Sequence, residues 1–291
     1  MKILVLGSKG QLGKCLNDQL AITKHDVVYS SREQIDISDF EVTKAKISEI
    51  SPDFVINATA YTAVDKAEEE CQAADRINHL AVANISSICN QLDCWLIHIS
   101  TDYVFDGNSE VPYKEDNPTN PQSVYGESKL KGEIEIKASG CKYLIIRTAW
   151  VYSEYGNNFL KKMLLLGADR DELSIVGDQI GCPTYAQDIA KAIVTILPLL
   201  DLKGSSSGVY HYCGDEPCSW YEFARVIFSE AEIRGLKTPS YFKSIATSDY
   251  PAPAIRPAYS VLECTKIESV FHVPQSNWRD GVKIVIDRLQ G

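Results

Sequence analysis

Tyr125 and Lys129 stand four residues apart in the stretch Pro121-Gln122-Ser123-Val124-Tyr125-Gly126-Glu127-Ser128-Lys129-Leu130-Lys131-Gly132. On a helix that spacing puts both side chains on one face, one turn apart. An ammonium beside a phenol favours the phenolate and lowers the phenol's pKa. A phenol tuned in this way can act as a general acid or base near neutral pH. With 15 Tyr and 20 Lys in 291 residues, chance alone supplies roughly one such pair. The pair therefore carries chemistry only if the rest of the chain supplies a cofactor, an oriented partner and a pocket.

A partner hydroxyl is available. The apolar run Trp95-Leu96-Ile97-His98-Ile99 ends in Ser100-Thr101-Asp102-Tyr103. Hydroxyls at the end of a central strand can hydrogen-bond a substrate carbonyl, or can simply cap the strand. A cofactor site is also available. Lys2-Ile3-Leu4-Val5-Leu6 runs into Gly7-Ser8-Lys9-Gly10-Gln11-Leu12-Gly13 and then a helical pattern. Strand, glycine turn and helix form the dinucleotide-binding arrangement, with the helix N-terminus toward the pyrophosphate. The spacing is G-x-x-G-x-x-G. The second strand, Asp26–Ser30, leads into Ser31 and Arg32 rather than an acid. A cation with two hydroxyls suits a ribose 2′-phosphate, so NADPH is expected, with NADH as the alternative. Thr59-Ala60-Tyr61-Thr62 follow the next core strand, at the edge where cofactors lie in open α/β sheets.

The elements around these residues alternate strand and helix with no hairpin signal as far as Arg147. That pattern predicts an α/β fold with a doubly wound, parallel Rossmann-type sheet. Helices are expected over Phe40–Ile50, Val64 to about Asp75 and about Asn78 to Leu92. A strand is expected at 142–147. After Trp150 the regularity drops. A helix is expected at 158–166, a strand at 173–176 and an amphipathic helix at 185–197. A flexible Gly/Ser linker is expected at 203–208 and a strand at 209–213. A helix at 220–231, a long four-proline loop at 239–259 and a terminal helix at 277–289 complete the chain. The smaller, mixed α/β C-terminal part reads as a substrate lobe. The expected division is 1–149 and 171–212 for the dinucleotide-binding domain, 150–170 and 213–291 for the lobe. Hydrophobic residues make up 45% and charged residues 23%, which suits a globular protein. No apolar run is long enough to span a membrane. Nine cysteines without zinc-ligand spacing read as reduced thiols, and no leader pattern opens the chain, so a cytoplasmic location is expected. A net charge of −10 argues against nucleic acid as a partner.

Taken together the motifs resemble the extended short-chain dehydrogenases/reductases, and within them the dTDP-4-dehydrorhamnose reductase family. The segments that carry the resemblance are Gly7–Gly13, Asn57–Glu68, Ser100–Gly107, Tyr125–Glu133 and Arg256–Leu262. The resemblance implies reduction of the C4 ketone of dTDP-4-dehydro-L-rhamnose to dTDP-L-rhamnose. It implies that Tyr125 protonates the new alkoxide, that Lys129 lowers its pKa and holds the nicotinamide ribose, and that Thr101 orients the ketone. Gly10, Gln11 and Leu12 would lie along the pyrophosphate, Asp36 and Ile37 near the adenine, and Ala60, Tyr61 and Thr62 along the nicotinamide side. Val64, Asp102, Tyr103 and Trp150 would border the sugar, and Arg256 would meet the diphosphate, since a guanidinium matches phosphate geometry. Some members dimerise across a magnesium ion held by glutamates. Cys15 and Gln187 stand at about those places here, and neither suits a hard cation. A monomer or weak homodimer without a bound metal is expected. Two rivals share the pattern: a cofactor-binding regulatory subunit similar to the methionine adenosyltransferase beta subunit, and another nucleotide-sugar reductase or epimerase.

Overall fold

The computed structural model describes residues 1–200 and 206–291. Its centre is a six-stranded sheet in the order Gly208–His211, Lys142–Thr148, Trp95–Thr101, Phe54–Asn57, Lys2–Leu6, Asp26–Ser30. Every pairing in it is parallel. Parallel strands need helical crossovers, and those cover both faces of the sheet. On one face Leu4, Leu6, Val55, Leu96 and Ile145 pack on Val82, Ile85 and Ile88. On the other, Ile3, Val5, Ile56, Ile97 and Ile146 pack with Leu16 and Leu20 and with Ile189, Ile193 and Leu197 of the helix Ala186–Leu200. This double burial is why Phe54–Asn57 is apolar throughout until its last residue.

Local chemistry sets the helix ends. Asp39 caps Phe40–Ile50 by accepting from the Val42 amide, and Ser51, in the left-handed region, ends it before Pro52. Ser123 caps Val124–Ala138 by accepting from the Gly126 amide at 3.2 Å. Removing such a cap costs about 1 kcal/mol. This cap sets where the helix begins, and so where Tyr125 and Lys129 point.

Three segments differ from the expectations above. The helix over Val64–Asp75 is broken into Val64–Ala67 and Cys71–Asp75. The break has a use: Glu68 Oε1 accepts from the Val124 amide at 2.9 Å, and Glu70 Oε2 accepts from the Tyr61 hydroxyl at 2.6 Å. A π-helical turn, Arg76–Leu80, then runs directly into Ala81–Gln91. The long loop at 239–259 contains a strand, Tyr241–Ile245, paired in parallel with Glu172–Val176. The latter strand therefore lies outside the central sheet. Leu173 and Ile175 join a separate apolar core with Tyr152, Phe223, Ile227 and Trp278. Of the expected linker, residues 203–205 lie outside the described residues, and Gly208 already opens the last strand of the sheet.

Candidate active site

The glycine turn is built for close approach. Gly7 takes φ +82°, which favours glycine, and a Cβ there would sit 2.9 Å from Thr59 Cγ2. A Cβ on Gly13 would strike the Gly7 carbonyl oxygen. Gly10 precedes the helix Gln11–Ala21 with no side-chain cap on its first amides. Uncapped N–H groups at a helix start attract an anion. The Gln11 side chain reaches out of the turn, donating to the Val151 carbonyl at 3.2 Å and accepting from Asn158 at 2.7 Å. Beyond the second strand, Ser31 is buried and donates to Glu33 Oε2 at 2.5 Å. Arg32 is 81% exposed and pairs with Asp36 at 3.3 Å. Asp36 also accepts from the Ser38 amide and hydroxyl, and Ile37 is buried beside them.

The Ala60–Thr62 loop is held by a residue the sequence pattern did not single out. Asn78, inside the π-helical turn, accepts from the Tyr61 amide at 2.9 Å and donates to the Tyr61 carbonyl at 3.0 Å. Its Nδ2 also meets Ser128 Oγ at 3.0 Å. A Cβ on Gly132 would strike the Asn78 carbonyl, so glycine there lets the Val124–Ala138 helix come close. π-Turns of this kind recur at functional sites.

Tyr125 and Lys129 both lie on the inner face of that helix, 9% and 1% exposed. The phenol is pushed up to about 12, chiefly by burial; the neighbouring Thr101 hydroxyl opposes the shift and the Asp102 charge adds to it. The phenol is therefore raised, not lowered. Lys129 is turned to the strand Trp95–Thr101: Nζ donates to the Ile99 carbonyl at 2.6 Å and lies 3.2 Å from His98 Nε2. Burial brings the Lys129 ammonium down to about 8, with Glu133 pulling it back up. Thr101 closes the same strand. Its hydroxyl donates to Asp102 Oδ1 at 2.9 Å and accepts from the Tyr103 amide at 3.2 Å. Burial lifts the Asp102 carboxyl to about 6, against hydrogen bonds from Ser260 and Thr101. The result is a neutral phenol beside a hydroxyl, one helical turn from the Lys129 nitrogen. That set can hold a carbonyl oxygen and supply it with a proton.

A cleft of ≈ 850 Å³ abuts this set. Val64, Asp65, Tyr103 and Arg256 line it, and the Tyr103 ring packs edge-on against Tyr125 at 5.5 Å. Arg256 Nη2 donates to Asp65 Oδ2 at 2.7 Å. Lys162, Arg170 and Trp220 line the same cleft and were not anticipated from the sequence. Trp150, at φ +48°, stacks flat on Trp220 at 3.4 Å between ring centroids and covers Gly181. It thus sits behind a cleft-lining ring. Cys15 is buried with its thiol pushed up to about 12 by burial, and Gln187 is buried as well. Among the described residues, no group of His, Cys, Asp and Glu could hold a metal ion, and no helix is long and apolar enough to cross a membrane.

Similarity to known proteins extends over the whole molecule. The family model described as RmlD substrate binding domain matches residues 1–291. The dTDP-4-dehydrorhamnose reductase of Sinorhizobium fredii is 40% identical over 290 residues, covering 98% of this chain and 97% of that protein. The crystal structure of a dTDP-4-dehydrorhamnose reductase from Clostridium acetobutylicum superposes with a TM-score of 0.93 at 37% identity and full coverage of both chains. That of Bacillus anthracis in complex with NADP gives 0.90 at 35% identity, with 99% of each chain covered. The fold is that of these enzymes, and the chain belongs to the family of the RmlD substrate binding domain.

Proposed function

We propose that the protein is a dTDP-4-dehydrorhamnose reductase that uses NADPH, with NADH as the alternative, to reduce the C4 ketone of dTDP-4-dehydro-L-rhamnose. One observation carries the reading: a buried, neutral phenol, Tyr125, meets Thr101 at the end of a central strand, one turn from Lys129. Relatives that match nearly the whole chain, those of Sinorhizobium fredii and Escherichia coli among them, are reductases of this name.

The chain fits a dinucleotide. A Cβ at Gly7 or Gly13 would fill the turn, and the helix amides after Gly10 are uncapped. Gly7, Gly10, Gln11, Leu12 and Gly13 would hold the pyrophosphate. Ser31, Arg32, Asp36 and Ile37 would hold the adenosine end, and Ala60, Tyr61 and Thr62 the nicotinamide end. When bound, the nicotinamide supplies the hydride. Thr101 Oγ1 holds the ketone oxygen, and Tyr125 gives that oxygen its proton as negative charge develops there. Burial suits the phenol to this task, because it keeps the proton on until an alkoxide, a stronger base, asks for it. Lys129 would hold the nicotinamide ribose and balance the phenolate that remains. Val64 and Tyr103, on the cleft wall, would border the sugar, with Asp102 behind Thr101 and Trp150 behind Trp220. Arg256 takes the diphosphate once its pair with Asp65 opens.

Following the absorbance of added NADPH with dTDP-4-dehydro-L-rhamnose tests this. Stoichiometric loss of NADPH is expected. No net loss would leave an epimerase or a cofactor-binding regulatory subunit, and would overturn the reading. The same assay with Arg32→Ala should weaken NADPH use about 10- to 100-fold with little change for NADH, since a charge-assisted hydrogen bond contributes about 1.5–3 kcal/mol. Equal loss for both cofactors would remove Arg32 from the 2′-phosphate.

The division at 1–149 and 171–212 against 150–170 and 213–291 is kept with two changes. Residues 261–273 go to the dinucleotide-binding domain, because Leu262, Ile267 and Phe271 join the central-sheet core. Residues 172–176 go to the lobe, because they pair with Tyr241–Ile245 and share its core. The protein is proposed to act in the cytoplasm, apart from nucleic acid and membranes. It is proposed to be a monomer or weak homodimer without a magnesium bridge, as buried Cys15 and Gln187 put no carboxylate at those places. Its mass in solution should not change with EDTA; an EDTA-sensitive dimer would refute this.

A further inference from the structure

His98 is fully enclosed in the middle of the strand Trp95–Thr101, and the mechanism above leaves it unused. Both of its ring nitrogens meet nitrogen atoms. Nδ1 is 3.2 Å from Asn57 Nδ2, and Nε2 is 3.2 Å from Lys129 Nζ. The orientation of the Asn57 amide is set from its other side. The Thr59 backbone N–H donates to Asn57 Oδ1 at 3.1 Å, and the Thr59 hydroxyl donates to the same atom. An amide N–H can only donate, so the Asn57 atom facing His98 is the NH2 group. His98 Nδ1 must then accept, and a neutral imidazole that accepts at Nδ1 carries its proton on Nε2. That N–H points at the Lys129 nitrogen. An ammonium has no lone pair to receive it, whereas an amine has one. Only the amine leaves all three side chains satisfied, with its own N–H still on the Ile99 carbonyl.

We propose that His98 is a positioning residue for Lys129: with Nδ1 committed to Asn57, it directs Nε2–H at the lysine nitrogen and lowers the pH at which the cofactor-free protein reaches the amine form. The surrounding charges are consistent with this. On the same helix, Glu133 favours the ammonium but is itself paired with Arg147 from the neighbouring strand and accepts from Ser100. Asp75 and His79 pair with each other and with Lys131 and Glu135 on that helix. Glu68 is spent on the Val124 amide, and Asp102 faces Thr101. Tyr125 is neutral. Burial already brings Lys129 to about 8 and holds His98 well below its ordinary value, so the imidazole stays neutral beside it.

Two measurements on the full chain decide this. The first uses 15N-histidine NMR of the cofactor-free protein at pH 9. The His98 signal is expected to show a protonated Nε2 and a bare Nδ1; a proton on Nδ1, or on both nitrogens, overturns the proposal. The second follows kcat/KM for NADPH-dependent reduction against pH, which reports the free enzyme's groups, in the wild type and in His98→Gln. A glutamine carbonyl can accept from an ammonium, so the alkaline limb near pH 8 should move up by at least one unit, a tenfold lower proton concentration at the midpoint. A merely structural role would lower the rate at every pH and leave the midpoint in place, which would also overturn the proposal. Only the second arm rests on the reductase reading. If the wild type does not turn over, that reading fails and the NMR arm still decides this one. The NMR arm likewise decides if His98→Gln does not fold.

Discussion

Tyr125→Phe is expected to lower kcat about 10²–10⁴-fold, the usual contribution of a positioned proton donor. The ring keeps its place: Tyr125 packs with Ala67 and Ala74 and against the Tyr103 ring, contacts a phenylalanine preserves. Thr101 keeps Asp102 and the Tyr103 amide as partners when the phenol oxygen goes. Stability should therefore change by no more than about 1 kcal/mol, and NADPH should bind as before. The pH profile separates the two groups. The phenol sits at about 12, so its ionisation takes no part in an alkaline limb near 8; that limb belongs to Lys129. Tyr125→Phe should leave residual activity with the same limb, whereas Lys129→Met should remove it. Steady-state kinetics of both variants check this. If Tyr125→Phe keeps a third or more of the wild-type kcat, proton donation belongs to another group.

The parts that were legible in the sequence are those whose cause is local. Gly7 needs a positive φ and Gly13 needs to clear the Gly7 carbonyl, so the turn announces itself by residue type. The central strands read as unbroken apolar runs because helices cover both faces. The Tyr125–Lys129 spacing survives because Ser123 starts a regular helix just before it. What was missed depends on distant partners. Glu68 and Glu70 look like part of an exposed acidic helix, yet they break it to bond Val124 and Tyr61. Tyr241–Ile245 is β-prone, but prolines at 239, 251, 253 and 257 made the whole stretch read as loop. All four lie outside the strand, and its partner is some 70 residues away. Asn57, Asn78 and His98 carry no local signature at all; only the fold shows what each of them faces. The sign of the Tyr125 shift was misjudged for the same reason. Spacing places an ammonium one turn away, but only coordinates show that Lys129 turns to Ile99 and His98 while burial governs the phenol.

Glu133→Gln is expected to destabilise the protein by about 3–5 kcal/mol, because it strands a buried guanidinium. Glu133 and Arg147 are 0% and 1% exposed. The pair is bidentate: Arg147 Nε donates to Oε1 at 2.9 Å and Nη2 to Oε2 at 2.7 Å. Ser100 adds a hydrogen bond at 2.6 Å, and the guanidinium lies 5.0 Å from the Phe105 ring centre. The pair ties the Val124–Ala138 helix to two central strands, about two helical turns from the phenol. In a chain of this size the loss corresponds to a Tm drop on the order of 10 °C. The pH dependence supplies a second check. Burial alone would raise the Glu133 carboxyl, but the Arg147 hydrogen bonds and charge, with Ser100, hold it below its ordinary 4.5. A carboxyl lowered by folding stabilises fully above its unfolded value, and that stabilisation is lost as pH falls through the folded one. The stability gap between wild type and Glu133→Gln should therefore be widest above about pH 4.5 and narrow below it. Arg147→Met should reverse the slope contributed by Glu133. Without its cation the buried carboxyl is raised by desolvation, so the folded state holds the extra proton and that variant loses stability as pH rises from 4 to 7. Urea melts of the three proteins at pH 4 and pH 7 would show it. A gap that is the same at both values, or a Glu133→Gln cost below 1 kcal/mol, would mean that this buried pair contributes little to holding the helix in place.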